Sequence, residues 1–172
     1  DLKVTDDKIN IIVQLNEGQK SLVNKINIKG NTITEEKVIR DNLIISEGDQ
    51  LNSSKVKKSI DNVKSKQLFS KVDYKIEDSD KKNFKDLNLF VKEQPTGSIS
   101  AGVGYGTNGG LFEASVNERN FLGQGINLNF TGRLSSDVIR GELSFVDPNY
   151  KNSNKELAAS LFSEVDDYSN SG

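Results

Sequence analysis

The feature that most constrains this 172-residue chain is a two-residue alternation of side chains through its second half. The segment 97–106, GSISAGVGYG, places Ile99, Ala101, Val103 and Tyr105 on one parity, with serine and glycine on the other. Because successive side chains of a β-strand point to opposite faces, this period predicts a strand with one apolar face. The other face is unusual, since glycine weakens a strand and offers no side chain for packing.

The alternation continues in four later segments, which contain Phe112, Ile126, Ile139 and Leu157. Asn108-Gly109-Gly110 is a strong hairpin signal. Later turns are predicted at 119–125, 135–137 and 147–149. The sequence therefore predicts five antiparallel strands of roughly ten residues each.

The length of these strands helps to distinguish strands that cross a membrane from strands of a soluble domain. About 9–11 tilted residues cross a bilayer, whereas strands of soluble domains are usually nearer 5–6 residues. This favours a membrane barrel with a lipid-facing apolar parity and a polar lumen, and leaves open a soluble lipocalin-like or sandwich fold. Closed barrels start at about eight strands, so we expect further strands beyond Gly172.

The first half has a different composition. Residues 1–96 hold 18 of the 23 basic residues but only 3 of the 14 glycines. The boundary is predicted at 93–97, where Pro95 cannot donate to a ladder and Gly97 permits a bend. Strands are predicted at 8–15, 22–28, 70–77 and 86–92.

Two helices are predicted between the second and third of these strands. Thr34 is expected to cap the first, with Ile39 and Leu43 on its buried stripe. Ser53 or Ser54 is expected to cap the second helix. The positions of this helix that are predicted to be buried are Val56, Ile60 and Val63. From Leu22 onward the order is β-α-α-β-β, a helix pair over one small sheet.

Composition argues against catalysis. The chain has no Cys and no His, so the commonest nucleophile–base pairs and metal ligands are missing. Gly102–Gly106 lacks the Gly-Lys-Ser/Thr that would complete a phosphate loop, and Asp147 and Asp166 are most simply solvated acids. The net charge of −2 does not suggest nucleic acid. We expect no enzyme, no metal and no cofactor.

Five segments carry a resemblance to a known family. Residues 23–32, VNKINIKGNT, resemble the opening of a POTRA domain, and 67–72, QLFSKV, the end of its second helix. Residues 96–107, 117–125 and 147–150 resemble the first strand and the following turns of an outer-membrane barrel. Together they make the chain similar to the BamA family of outer-membrane β-barrel assembly factors.

The resemblance implies an α+β POTRA domain (βααββ) followed by antiparallel transmembrane β-strands, a fragment of a 16-stranded barrel. Its domains would be the tail of a preceding POTRA domain at 1–17, a POTRA domain at 18–94 and N-terminal barrel strands at 97–172. The implied function is β-barrel assembly and insertion in the outer membrane, with the POTRA part in the periplasm. A two-partner-secretion or translocase pore of the same superfamily, and a soluble β-rich binding module, remain alternatives.

We hypothesise that the first barrel strand is a weakly paired lateral gate that pairs with client strands. The alternative is that its glycines make room for a plug or a neighbouring strand. The gate residues would be Ser98, Ile99, Ser100, Ala101, Gly102, Val103, Gly104, Tyr105 and Gly106.

The resemblance also implies sites in the POTRA part. The strand implied to accept clients by β-augmentation comprises Val72, Asp73, Tyr74, Lys75, Ile76 and Glu77. Glu47 would contact a partner lipoprotein, although an ordinary solvated carboxylate is an equal alternative. The expected partners are unfolded outer-membrane protein clients, accessory assembly lipoproteins and outer-membrane lipid.

Overall fold

A computed structural model of the chain describes residues 2–5, 8–11, 20–106, 109–153 and 155–166. The elements of its first part are β1 Leu2–Thr5, β2 Lys8–Ile11, β3 Leu22–Lys29, α1 Glu36–Arg40, α2 Ser53–Ser65, β4 Phe69–Asp78 and β5 Phe84–Glu93. Those of its second part are β6 Gly97–Gly106, β7 Gly109–Phe121, β8 Ile126–Ser135, β9 Val138–Asp147 and β10 Leu157–Asp166, with a 3₁₀ turn at Tyr150–Asn152. No helix within the described ranges has the length and apolarity needed to cross a membrane.

The first part is a three-stranded sheet in the order β3-β5-β4, with two helices over it. Strand β5 pairs parallel with β3 and antiparallel with β4. The helices and the sheet enclose one apolar core, in which the predicted Ile39, Val56, Ile60 and Val63 are buried. Burial of these side chains is the main force holding such an open sheet against its helices. The predicted βααββ order is confirmed.

Both predicted helix caps were wrong. Asn52 caps α2, and its side chain accepts a hydrogen bond from the Lys55 backbone N–H at 3.1 Å. Helix α1 is preceded by Glu35 without a side-chain cap, and it ends at Arg40, before the predicted Leu43. Thr34 is instead only 2% exposed and donates its hydroxyl to Glu93. The Asn120 side-chain amide, 86 residues away, donates to the Thr34 oxygen in place of the local backbone N–H expected for a capping threonine.

The second part is a five-stranded antiparallel meander in the order β10-β9-β8-β7-β6. Strand β7 is longer than predicted, because it runs through 119–121, where the sequence suggested a turn. The β7–β8 register shifts between Glu118 and Phe121. Such a bulge lets the strand continue while it changes direction. The tight turn is confined to the residues before Ile126.

The register joins the apolar parities of all five strands into one face of the sheet. Cross-strand pairs on this face include Ile99 with Val116, Phe130 with Leu143, and Leu161 with Leu143. Phe130 is 51% exposed and Leu161 74% exposed, so no second layer of described residues covers the face there. Ile126 differs, because it is buried at the end of β8 that adjoins the helices.

The chain begins with a separate two-stranded sheet, in which Leu2 pairs with Ile11 and Thr5 with Lys8. Strand β1 was not predicted. The predicted strand 8–15 is present as β2 over Lys8–Ile11, and its remaining residues lie outside the described ranges. The assignment of 1–17 to a preceding POTRA domain stays a prediction.

Candidate functional site

Strand β6, predicted as the gate, lies at one edge of the five-stranded sheet. It pairs with β7 over its whole length, from Gly97 opposite Glu118 to Gly106 opposite Gly109. Its other edge has no partner strand within the described residues. All ten of its residues are exposed on both faces. The strand therefore offers a row of backbone N–H and C=O groups to an incoming chain.

The glycine face of β6 is open among the described residues. A Cβ atom added at Gly102 or Gly106 would meet nothing within 4 Å, and one at Gly104 would lie 4.0 Å from the Leu111 Cβ. Nothing described here requires glycine for lack of space. On the same face the hydroxyls of Ser100 and Ser115 lie 2.7 Å apart, a polar cross-strand contact in a row with few others.

Strand β4, which contains the predicted augmentation residues, is likewise an edge strand. From Val72 opposite Val91 to Glu77 opposite Asp86, it pairs with β5 on one side only. Val72 is buried, whereas Lys75 and Glu77 are exposed and form an ion pair at 2.6 Å. The structure thus leaves one backbone edge of this strand without a partner strand among the residues described.

Glu47 is bound inside its own domain. Its Oε1 accepts a hydrogen bond from the Ile26 N–H at 3.1 Å and from the Arg40 Nη1 at 3.0 Å. Arg40 also donates from Nε to Glu36 and from Nη2 to the Ile26 carbonyl. Because 44% of the Glu47 side chain remains exposed, it is still accessible to another molecule.

Glu47 and Arg40 each stabilise the charged form of the other. Burial raises the pKa of Glu47, but the hydrogen bonds from Ile26 and Arg40 outweigh that effect and hold this pKa below its usual range. Burial lowers the pKa of Arg40, but Glu36 and Glu47 raise it above its ordinary value overall. Since the folded-state pKa of Glu47 is depressed, its contribution to stability is present above about pH 4 and is lost on acidification through that pKa.

A buried polar network joins the two parts of the chain, and sequence reasoning missed it. The Glu93 carboxylate accepts bonds from the Thr34 N–H at 2.9 Å and from the Thr34 hydroxyl at 3.0 Å. The hydroxyl in turn accepts a bond from the Asn120 Nδ2 at 2.9 Å, and the Asn120 Oδ1 accepts from the Gly125 N–H at 2.8 Å. Asn120 is only 6% exposed. We call these four residues the junction network.

Backbone contacts reinforce this junction. The Glu35 N–H donates to the Gly123 carbonyl at 2.8 Å. A Cβ at Gly123 would lie 2.2 Å from the Ile33 carbonyl oxygen, and φ there is +77°. The turn between β7 and β8 thus lies directly against the chain that enters α1. In the sequence, the glycines of this turn were the only indication of this close approach.

The segment between β5 and β6 is also held at both sides. Gln94 donates from its N–H to the Leu68 carbonyl and from its side chain to the Gln67 carbonyl. Thr96 donates its hydroxyl to Glu118, and Arg119 donates to the Thr96 carbonyl at 3.4 Å. The predicted boundary at 93–97 is therefore a fixed joint, although Pro95 and Gly97 suggested only a bend.

The polar face of the meander carries ion pairs. Arg133 donates twice to Glu113, at 2.9 and 2.6 Å. Arg140, opposite Arg133 in the register, pairs with Glu142 and Glu164. No group of three or more potential metal ligands occurs among the residues that the structure describes. The Arg133–Glu113 and Arg140–Glu164 pairs link neighbouring strands, whereas the Arg140–Glu142 pair lies within β9.

Comparison with known proteins follows the same division of the chain. The POTRA family profile, described as surface antigen variable number repeat, matches residues 21–94. Outer membrane protein assembly factor BamA of Nitratidesulfovibrio vulgaris is 29% identical over 148 residues, covering 81% of this chain and 18% of that protein. The crystal structure of BamA from Haemophilus ducreyi lacking POTRA domains 1–3 is 28% identical, with a TM-score of 0.80. It covers 87% of this chain and 28% of that one.

The chain is BamA-like and contains a POTRA domain at residues 21–94. Like its BamA relatives it is an outer-membrane protein, with its POTRA domain in the periplasm and its meander matching the barrel. This removes the soluble binding module from consideration. CdiB from Acinetobacter baumannii shares the fold, with a TM-score of 0.54 at 17% identity over 84% of this chain and 28% of its own length. The chain spans less than a third of each of these three proteins.

Proposed function

We propose that this BamA-like chain acts in the assembly and insertion of outer-membrane β-barrels. The observation that carries the proposal is the position of β6, an exposed glycine-rich edge strand that directly follows a POTRA domain. Several relatives bear the name of an outer-membrane assembly factor, which supports the same activity. The work requires no catalytic side chain, since forming a β-ladder breaks no covalent bond.

In this proposal Ser98–Gly106 is a lateral gate that pairs transiently with a client strand. Each cross-strand side-chain pair contributes only roughly 0.2–1 kcal/mol, and the glycine face forgoes most of these contacts. A strand held mainly by backbone hydrogen bonds can release one partner and accept another. Ile99, Val103 and Tyr105 keep the opposite face compatible with lipid.

The POTRA domain would receive clients earlier, as extended strands added to Val72–Glu77. Its accessory partner, an assembly lipoprotein, would dock at Glu47, whose exposed carboxylate suits a basic side chain. The apolar face of the meander would contact outer-membrane lipid. Clients are thus assigned to the edges of β4 and β6, the lipoprotein to Glu47 and lipid to the apolar face of the meander.

The gate is tested in the protein carrying a complete barrel, reconstituted in lipid vesicles with a reporter barrel as client. Gly104→Val adds a side chain to the glycine face without a steric clash, and we expect it to strengthen resting pairing and slow insertion severalfold. Gly132→Val is the control for added bulk, since a Cβ at Gly132 meets nothing within 4 Å and lies on the apolar face of an interior strand. A disulfide joining β6 to the strand that closes the barrel should stop insertion until it is reduced. Insertion at the normal rate by the oxidised protein would refute the gate.

The partner contact is tested by comparing two variants at Glu47. Glu47→Lys reverses the charge, whereas Glu47→Gln keeps an acceptor for the Ile26 N–H and removes the charge alone. If a partner's cation binds the carboxylate, both variants should lose lipoprotein co-purification. Partner retention by Glu47→Gln together with loss by Glu47→Lys would mean that the reversed charge acts through local structure, and the contact would be rejected.

A further inference from the structure

The POTRA sheet has a second edge, formed by β3, and part of that edge is closed by a loop. The Val23 N–H donates to the Asp49 carbonyl at 2.9 Å, and the Val23 carbonyl accepts from the Gly48 N–H at 2.8 Å. An isolated bridge between Leu22 and Gln50 extends this closure. The first outward backbone groups of β3 are therefore occupied.

At Ile26 the same edge is closed by side chains. The Ile26 N–H donates to the Glu47 Oε1 at 3.1 Å, and the Ile26 carbonyl accepts from the Arg40 Nη2 at 2.7 Å. The two side chains are themselves bonded at 3.0 Å. The Glu47 carboxylate and the Arg40 guanidinium thus supply the acceptor and the donor that a neighbouring strand would offer to Ile26. Glu36 supports the arrangement by accepting from the Arg40 Nε at 2.7 Å.

Strand β4 has no comparable closure. Among the residues that the structure describes, no side chain bonds a backbone N–H or C=O of Val72–Glu77, and β5 is the only partner strand. The two edges of one small sheet therefore differ in how many backbone groups are free to pair. This asymmetry decides where an extended chain can add.

We infer that Arg40 and Glu47 form an edge cap that directs strand addition to β4 by closing β3. The inference rests on the proposed capture of clients by strand addition. It names the residues that confine this addition to the β4 edge of the sheet. Removing both side chains uncovers the Ile26 N–H and C=O, so β3 becomes a second docking edge for an extended segment with alternating polar and apolar residues. Glu47 then has a role that does not depend on any partner.

The test uses the whole chain in detergent and a synthetic peptide copying Ile126–Ser135, with p-benzoylphenylalanine in place of Phe130. After photolysis, mass spectrometry maps the labelled strand. We expect the unaltered chain to be labelled on β4, and the Arg40→Ala/Glu47→Ala variant to gain labelling on β3 by about tenfold, since two backbone hydrogen bonds become available. A peptide with alternate backbone nitrogens methylated should label neither strand.

The matched control is Lys85→Ala/Asp78→Ala, which removes another ion pair of this domain and touches no backbone group of β3. Absence of new β3 labelling in the Arg40→Ala/Glu47→Ala variant overturns the edge cap. Absence of β4 labelling in the unaltered chain overturns capture by β4 instead, so the two failures are distinguishable. If the double variant does not fold, hydrogen exchange on the unaltered chain decides. Peptide-induced protection should appear in 69–78 and not in 22–29, and protection of 22–29 would refute the cap.

Discussion

At the scale of single residues, two glycines are required by close backbone approaches. Gly123 has φ +77° and faces the Ile33 carbonyl, and Gly30 has φ +97° with a Cβ position 2.0 Å from the Val91 carbonyl oxygen. A side chain at either position would combine left-handed backbone strain with a clash against main chain that cannot move independently. At Gly102, Gly104 and Gly106 of β6, by contrast, a Cβ atom would meet no atom closer than 4.0 Å, so glycine serves two different purposes in this chain.

Gly123→Ala is expected to destabilise the junction. Left-handed strain and the clash with the Ile33 carbonyl together should lower the free energy of unfolding by about 2–4 kcal/mol, measured by urea titration in lipid vesicles. Gly141→Ala is the control, because a Cβ there meets nothing within 4 Å. Equal effects of the two variants would show that the turn does not lie against Ile33.

At the scale of elements, each strand of the meander separates two environments. On β8, Phe130 belongs to the apolar face and is opposite Val116 and Leu143, whereas Arg133 belongs to the face that carries ion pairs. Within the part of the chain that the structure describes, neither face is covered by a second layer along the middle of the sheet, as a lipid-facing band and a wet lumen require. Among the described residues, the edge strands β4 and β6 each have a partner strand on one side only.

Phe130→Arg should therefore lower the free energy of unfolding far more than an arginine placed nearby on the other face of the sheet. An arginine at the middle of the lipid-facing band costs about 2–4 kcal/mol, measured as the free energy of unfolding in vesicles. Ser144→Arg is the control, since Ser144 adjoins Leu143, the residue opposite Phe130, but lies on the polar parity. A larger cost at Ser144 would reverse the assignment of the two faces.

At the scale of the whole molecule, the POTRA domain is fixed to the first barrel hairpin by more than the connecting chain. The junction network joins Glu93 at the end of β5 to Asn120 in β7 through Thr34, and both ends of the connecting segment are hydrogen-bonded. A rotation of the domain would therefore strain the β7–β8 turn, next to the strand proposed as the gate. We therefore expect the orientation of the POTRA domain to affect the geometry of the proposed gate.

Asn120→Ala should loosen this link without unfolding either part. It removes the bonds to Thr34 and Gly125, at a cost of about 1–3 kcal/mol for the groups left unpaired. Spin labels at Lys58 and Ser163, both exposed, should then report a broader distance distribution than in the unaltered chain. Asn117→Ala is the control on the same strand, and equal broadening there would mean that the network does not set the orientation.

The sequence by itself determined the features that depend on local periodicity: the five alternating strands, the helix pair and the division near Pro95. Side-chain alternation and turn residues act over a few positions, so they can be read without knowing what lies nearby in space. The resemblance to the BamA family rests instead on specific short motifs, such as residues 23–32 and 96–107.

Only the tertiary structure decided the partners of individual polar side chains. Thr34 looked like a helix cap until the fold brought Glu93 and Asn120 to it, 59 and 86 residues away. The sequence left Glu47 as either a partner contact or a solvated carboxylate, and only the fold placed it at the edge of β3. Strand order, likewise, makes β4 an edge, since pairing between strands depends on distant chain segments meeting. Such contacts arise from the packing of the whole chain, and no window of neighbouring residues contains them.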